Sequence, residues 1–533
     1  MLARRGVTSG AAAERFLHPQ PEHLHDPFLL HGVAAAADRL TQARDEEEKV
    51  AVVGDYDVDG VSASALLLAV LRACSIECHE VLPHRLREGY GFQPVHVERA
   101  LELGCRIVVT VDCGVTAGDA IAAAEEAGLE VIVTDHHLPG SALPESALLI
   151  NPRQESCSYP FADLAGVGLA LKLAQAVAQR CDRQLDLRAL LRIACLGTIA
   201  DLVPLRGENR VIAALGLAEL GRTRSPGLRA LFRVSGIKPP FTASDVGFRI
   251  GPRLNAAGRL DDAAMALELL LVRDRRRAEE LAESLDGWNR SRQAEEARVF
   301  EQAKEKLLEL YPEDEALPPL IALWDESWHK GVLGIAAGRI ARDFHRPTLL
   351  LAQEGEHAVG SGRSIGSIAL HRFLEPWKER LVRFGGHSQA VGLTAPVAEL
   401  EALRQEWLDR AGEEWTADQL RKVYEYEIEL TADQVTDDLL RALDRLEPFG
   451  QGNQRPLLRV GPLERLGGGR IFGKQDNHLS AVARGPDGHR VNLLGWQWAP
   501  RRADLDGSFE VLAFLEQDRY RRQPVLRLVD ARP

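Results

Sequence analysis

The sequence predicts an α/β protein in three parts: a parallel-sheet domain, a second α/β domain joined to it by a long connector helix, and a small C-terminal β-barrel of the OB type. Three observations predict it. From Lys49 to Arg153, short apolar runs ending in acidic or glycine-rich turns alternate with Ala/Leu-rich amphipathic segments, the pattern of βαβ units around a sheet buried on both faces. A polar Ala/Glu/Arg-rich stretch from about 274 to 310 is closed by proline and acidic residues. Beyond about residue 422, short β-like runs are separated by Gly, Asp and Asn turns, the spacing of a small barrel. A chain of 533 residues is too long for one core, so several domains are expected.

Taken in order, residues 1–48 form a helical lead-in broken by Pro19, Pro21 and Pro27. Residues 49–270 make the first domain: KVAVVGDYDVDG, a helix near 61–73, IECHEVLP, a helix near 95–103, RIVVTVDCG, a helix near 117–127, LEVIVTDHH and ALLINPR. Helical segments at 166–182 and 187–200 then lead into DLVPL. Residues 271–311 are the connector helix, and 312–415 a second α/β domain opening with PLIALWDESW. Residues 416–533 hold YEIEL, LLRV, HLSAVAR, RVNLLGW, FEVLAFL and PVLRLVD, the strands of the barrel.

Composition excludes some classes. No run of about 18 uncharged apolar residues is present, so no membrane helix is expected, and the N-terminal residues lack the apolar stretch of a signal peptide. Seven scattered cysteines, none in a CxxC pair, suit reduced thiols in a cytoplasm rather than a disulfide framework or a zinc site. The net charge of −13 weighs against a globally basic nucleic-acid binder but permits a local basic groove.

Asp55, Asp57 and Asp59 occupy alternate positions after an apolar run and before Gly60. Alternate side chains of an extended segment share a side, and the carboxyl edge of an open α/β sheet is where ligands bind. Clustered carboxylates repel unless a cation joins them. Alone, the triplet reads equally well as a solvated turn capping the next helix. Asp112 ends a second apolar run, Asp135, His136 and His137 end a third, and Asp201 follows a fourth. A lone buried histidine is more often a core group than a ligand; a doublet beside aspartate at the same sheet edge reverses that preference. Mixed carboxylate and imidazole ligation suits Mn²⁺, and mainly oxygen ligation suits Mg²⁺.

The runs GDYDVDG, VTVDCG, TDHH and IADLVPL resemble the successive motifs of the DHH phosphoesterases. That resemblance implies two divalent metal ions held by Asp57, Asp59, Asp112, His136 and Asp201, with Asp112 bridging. Many members carry a histidine four residues before the first ligand aspartate, where this chain has Val53, so Asp55 is expected as a replacement ligand or a supporting group. His137 is expected to contact the scissile phosphate or orient a ligand, and Asp135 to hold an imidazole.

Within the superfamily, PHRLREGYGF and RIGPRLNAAGRL are similar to segments of the RecJ-like nucleases. Arg85, Tyr90, Arg253, Asn255 and Arg259 are therefore expected to contact substrate. Their plain alternatives are a solvated loop with a core tyrosine and a Gly-rich helix cap. The connector offers Asn289, Arg292 and Gln293 to the cleft, with Gln293 expected to contact substrate, although by themselves they are ordinary helix-surface residues. In the second domain, Gly-rich turns opening helices make Ser361, Arg363 and Ser364 a candidate phosphate pocket, and His387 lies in the GGH run of the DHH-associated domain. LEPFGQGNQRP resembles the lead-in to the OB-like domain of these nucleases. The resemblance implies a metal-dependent 5′→3′ exonuclease hydrolysing single-stranded DNA to mononucleotides in DNA repair and recombination, with a helicase and a single-strand-binding protein as further partners. Alternatives are an oligoribonuclease or cyclic-dinucleotide phosphodiesterase and, in another class, a non-catalytic single-strand-binding scaffold.

Overall fold

The structure is a computed structural model that describes the chain apart from residues 84–87, 89–90, 141–146, 261–262, 313–315, 519–521 and 533, and the side chains of 259 and 260. It forms two compact units, Met1–Glu283 with Glu425–Pro533, and Ser284–Tyr424.

In the first unit, five strands make a sheet of order β2-β1-β3-β4-β5: β1 (Lys49–Gly54), β2 (Cys78–Val81), β3 (Cys105–Val111), β4 (Glu130–Thr134) and β5 (Leu148–Ile150). Every pairing is parallel. Val50, Val52, Ile107 and Val109 are fully buried alongside Ala51, Val53 and Val108, so residues pointing to both faces are covered. Hence these strands read as continuous apolar runs rather than alternating ones. The chain steps from β1 outward to β2 and returns to β3 on the other side, so the order reverses between β1 and β3. The carboxyl edge at that reversal is the crevice where open sheets of this kind take ligands.

The helix after β1 spans Val58–Ala73, three residues earlier than the apolar periodicity predicts. The cause is Asp57, whose Oδ1 accepts hydrogen bonds from the backbone N–H groups of Asp59 (2.9 Å) and Gly60 (3.1 Å) and so caps the helix. Helices Gly166–Arg180 and Leu187–Ala200 pack on it.

The lead-in forms helices Gly10–Leu17 and Val33–Asp45. Phe16 belongs to the barrel's hydrophobic core. Arg210, buried at 3% exposure, stacks 3.6 Å from the Phe16 ring centroid and donates to the carbonyls of Phe16, Leu446 and Glu447. Arg5 pairs with Glu427 at 2.7 Å. The barrel is thereby tied to the parallel-sheet part through the N-terminal segment.

The barrel strands are β11 (Ile428–Leu430), β12 (Leu458–Phe472), β13 (His478–Arg484), β14 (Arg490–Gly495), β15 (Ser508–Gln517) and β16 (Pro524–Arg532). Strand β12 pairs with both β13 and β15, which closes β12-β13-β14-β16-β15 into a five-stranded barrel as expected.

In the second unit, β6 (Ile321–Asp325), β7 (Thr348–Glu354), β8 (His357–Arg363), β9 (Arg383–His387) and β10 (Ala390–Pro396) form a sheet of order β6-β7-β8-β10-β9. Only β6 and β7 pair in parallel; the remaining pairings are antiparallel. Ser361 and Arg363 therefore lie within β8, and the Gly385-Gly386-His387 run within β9, not in turns opening helices as expected. Packing explains the glycines of β8: a Cβ on Gly362 would come within 2.5 Å of Leu349 and Val391. The connector is one continuous helix, Arg275–Leu310.

Among the described residues, no helix is long and apolar enough to cross a membrane, and all seven cysteines are free.

Candidate metal centre

Three strand ends and one helix end deliver the acidic and imidazole groups. Asp55 follows β1, Asp112 follows β3, and Asp135, His136 and His137 follow β4. Asp201 is the residue that ends helix Leu187–Ala200. Asp112 sits at φ +62°, a left-handed conformation that aspartate tolerates better than most residues and that aims its carboxylate away from the strand line.

The structure brings these groups into three overlapping sets: Asp55, Asp57 and Asp112; Asp59, His136 and Asp201; and Asp112, His136 and His137. Within each set, one ligand atom from every residue lies within 4.8 Å of the others. His136 Nε2 stands 3.1 Å from Asp112 Oδ1 and 3.6 Å from Asp201 Oδ2. All the residues given a metal role by sequence are thus gathered at one edge. Asp55 joins Asp57 and Asp112 while Val53 is fully buried inside β1.

Asp59 owes its position to a distant element. Its carboxylate accepts the backbone N–H groups of Gly166 (2.7 Å) and Val167 (3.0 Å), the first residues of helix Gly166–Arg180. Free N–H groups and the positive helix end make that a favourable seat for an anion. Gly197 presses from the other side, where a Cβ would lie 2.4 Å from Asp59 Oδ1. A Cβ on Gly166 would lie 2.5 Å from Asp112 Cβ. Neither glycine was singled out from sequence; both lie on helices whose crossing is not visible in the local pattern.

Electrostatics separates two classes of group. Burial, followed by the Asp201 and Asp57 charges, pushes the Asp59 carboxyl well above its ordinary range. Burial and the four neighbouring aspartates do the same for Asp112. Burial, with Asp57 adding to it, raises Asp201 to about 7. Burial lowers His136 to about 4, with the His137 charge contributing, so its ring is neutral at pH 7 and has a lone pair to give. Asp112 Oδ1 and His136 Nε2 are buried and have no hydrogen-bond partner among the described residues, despite their 3.1 Å separation. Apposed buried acceptors and crowded carboxylates are the donor set a divalent cation satisfies. The residues fit the metals that sequence implies.

Asp135 behaves differently. Burial pushes its carboxyl up, but the ion pair with His137 Nδ1 at 2.7 Å and the N–H groups of His137 and Val115 outweigh it and leave it below its ordinary value. Burial lowers His137, and the Asp135 contact outweighs that and raises it. The imidazole that Asp135 holds is therefore that of His137. Asn151, which sequence did not mark, adds a hydrogen bond to the His137 carbonyl at 2.9 Å.

The residues expected to contact substrate fall in several places. Arg85 and Tyr90, and the side chain of Arg259, lie outside the described residues. Asn255 Oδ1 accepts the N–H of Val58 at 3.1 Å and so ties helix Gly251–Leu260 to the acidic loop. Arg253 donates to the carbonyls of Arg249 (2.7 Å) and Val234 (3.4 Å).

Within the second unit, Arg363 Nη1 donates to Ser361 Oγ at 3.0 Å, and burial lowers its pKa. Gly334, in helix Leu333–Phe344, leaves room for that guanidinium: a Cβ there would meet Arg363 Nη2 at 2.6 Å. Ser364 Oγ donates to the Ile368 carbonyl at 2.7 Å. His387 is exposed on β9, and Gln293 is exposed on the connector. Asn289 and Arg292 are instead buried, at 1% and 7% exposure, with Arg292 donating to Asn289 Oδ1 at 3.0 Å.

Comparison with known proteins identifies the family. Residues 49–198 match the DHH family N-terminal domain, 318–424 the DHHA1 domain, and 426–529 the RecJ OB domain. The single-stranded-DNA-specific exonuclease RecJ of Dickeya dadantii is 38% identical over 475 residues, covering 86% of this chain and 82% of that protein. The protein of the same name from Bacillus subtilis is 36% identical over 489 residues, covering 91% of this chain. The chain spans 61% of the length of that relative. The crystal structure of RecJ from Thermus thermophilus in complex with Mn²⁺ superposes with a TM-score of 0.82 at 31% identity, covering 100% of this chain and 75% of that one.

Proposed function

Because the chain belongs to the RecJ family of single-stranded-DNA-specific exonucleases, we propose that it hydrolyses single-stranded DNA from the 5′ end, using two divalent cations, Mn²⁺ or Mg²⁺, and releases mononucleotides. The observation that carries the chemistry is the convergence of Asp112 and His136 with the other aspartates at the carboxyl edge of the parallel sheet.

Asp55, Asp57 and Asp112 would hold one cation, and Asp59, His136 and Asp201 the other, with Asp112 shared through its contact with His136. When bound, the cations activate a water and stabilise the leaving oxygen in phosphoryl hydrolysis. The chain's own groups fix where this happens. The N–H groups of Gly166 and Val167 orient the Asp59 carboxylate. His136 offers a neutral ring. His137, its pKa raised by the Asp135 contact at Nδ1, is suited to donate a hydrogen bond from its other ring N–H to a phosphate oxygen.

Asn255 supports the acidic loop, and it and Arg253 are assigned a place beside the strand, together with Arg85, Tyr90 and Arg259. In the second unit, Ser361 and Arg363 are assigned a phosphate of the strand, with Ser364, Gln293 and His387 as further contacts; guanidinium and hydroxyl donors side by side suit an anion. A helicase and a single-strand-binding protein are the partners this reading calls for, and seven free cysteines accord with a cytoplasmic setting.

The test is digestion of end-labelled single- and double-stranded DNA in Mn²⁺ or Mg²⁺, with and without a 5′ phosphate. Release of 5′-terminal mononucleotides from single strands, faster with the phosphate present, is expected. Equal digestion of duplex, or release only from 3′ ends, refutes the reading. Binding of strands that are never cut points to the scaffold alternative.

A further inference from the structure

The rim of the metal centre carries apolar side chains that packing does not require. Leu138 follows His137 and is 65% exposed; Leu202 follows Asp201 and is 70% exposed; Phe248 is 79% exposed, the highest value among the exposed large hydrophobic residues described. Single exposed apolar residues are ordinary on a protein surface. Here Leu138 and Leu202 each adjoin a residue of the centre, and Phe248 lies on a turn packed against the helix that ends at Asp201.

Leu202 and Phe248 also sit in unusual backbone. Leu202 has φ +60°, a left-handed conformation rare for a bulky residue and retained mainly where function requires it. Phe248 is at the middle of a single π-helical turn, Val246–Ile250, in which the N–H of Gly251 bonds back to the carbonyl of Val246. Such turns insert a residue into a helix and push side chains outward, often at functional sites.

The position of this turn is fixed by contacts. It packs on helix Leu187–Ala200, which ends at Asp201. A Cβ on Gly251 would lie 3.7 Å from Ala200 and 3.9 Å from Val58, and one on Gly258 would lie 2.8 Å from the Tyr56 carbonyl. Asn255 holds the N–H of Val58. Hence the turn bearing Phe248 lies against the helix that ends at Asp201, and the helix that continues from it, Gly251–Leu260, lies against the Asp55–Asp59 turn.

We infer that Phe248, flanked by Leu202, is a stacking platform for the nucleobases next to the scissile phosphate. The centre itself is acidic and would engage only phosphate and cations. The one planar, apolar component of a single-stranded DNA substrate is its bases, and stacking on an aromatic face grips them without regard to sequence. Phe248 thereby makes the site prefer a base-bearing strand over a bare phosphodiester, which rests on the proposed nuclease function. Its role is in binding and specificity, not in the chemical step.

The experiment uses 5′-phosphorylated single strands that either carry all their bases or have tetrahydrofuran abasic residues at the first two 5′ positions, and follows release of the first nucleotide in Mn²⁺. The protein should show a KM about tenfold lower for the base-bearing strand. Phe248→Ala should raise KM for that strand by about tenfold, leave kcat nearly unchanged, and leave the abasic strand unaffected. Phe248→Tyr should retain the preference. Unchanged melting and Mn²⁺ uptake would show that the alanine variant is folded with its centre intact. If Phe248→Ala leaves KM for the base-bearing strand unchanged, or weakens both strands equally, the inference is overturned while the nuclease reading stands. Failure of the wild type to digest either strand overturns the nuclease reading and this inference with it.

Discussion

His136 Nε2 and Asp112 Oδ1 face each other across 3.1 Å, and neither atom has a hydrogen-bond partner among the described residues. Burial keeps the imidazole neutral and disfavours the carboxylate charge, so both atoms would gain from holding a shared cation. Removing either should stop the reaction. Asp112→Asn and His136→Ala are each expected to lose several kcal/mol of transition-state stabilisation, on the order of a thousandfold in rate. Initial rates in saturating Mn²⁺, with strand binding measured in parallel, check this; a variant within tenfold of wild type contradicts the assignment.

Crowded carboxylates make the metal-free protein less stable than it need be. Adding Mn²⁺ should therefore raise the melting temperature, with about 2.7 kcal/mol of stabilisation at a hundredfold excess over the dissociation constant. Asp112→Asn relieves repulsion from the neighbouring aspartates and should melt above wild type in chelator, yet gain less from Mn²⁺. Thermal melts with and without the ion test both halves. A wild type indifferent to Mn²⁺ contradicts them.

Gly197 abuts Asp59 so closely that a methyl group cannot be added without moving the carboxylate. Gly197→Ala is expected to cut hydrolysis by about a hundredfold through misplacement alone. Gly287→Ala is the control: a Cβ there meets nothing within 4 Å, and the change should be neutral or slightly stabilising. Equal rates for the two variants would show that Asp59 tolerates displacement.

Arg210 donates to three carbonyls, two of them in the lead-in to the barrel. Arg210→Ala leaves those acceptors buried and removes the stack on Phe16, so a loss of about 3 kcal/mol is expected. Denaturant unfolding followed by tryptophan fluorescence should show the barrel released early; an unchanged midpoint refutes the anchoring role.

Much of the centre was legible because its signals are local. Asp55, Asp57 and Asp59 announce themselves through two-residue spacing before a glycine, and Asp112 and His136 through position at the end of an apolar run. A buried parallel strand must be apolar throughout, so a charged residue directly after it stands out. The closed barrel was also legible, since alternation in β13 and β14 and turns at short intervals are sequence-local. The second sheet was less so: glycines in β8 that look like turn residues serve close packing against Leu349 and Val391.

By itself, then, the sequence marked the aspartates and histidines proposed for the chemistry and placed them at or just after apolar runs. Only the tertiary structure decided how they are held. Asp59 is seated by N–H groups 107 and 108 residues further along the chain, Asp135 serves His137 rather than His136, and Asn255 braces the acidic loop across a separation of 197 residues. Strand and helix periodicities repeat every two to four residues and so report each element's own faces. Which helix end meets which carboxylate depends on how whole elements pack, and no local spacing encodes that.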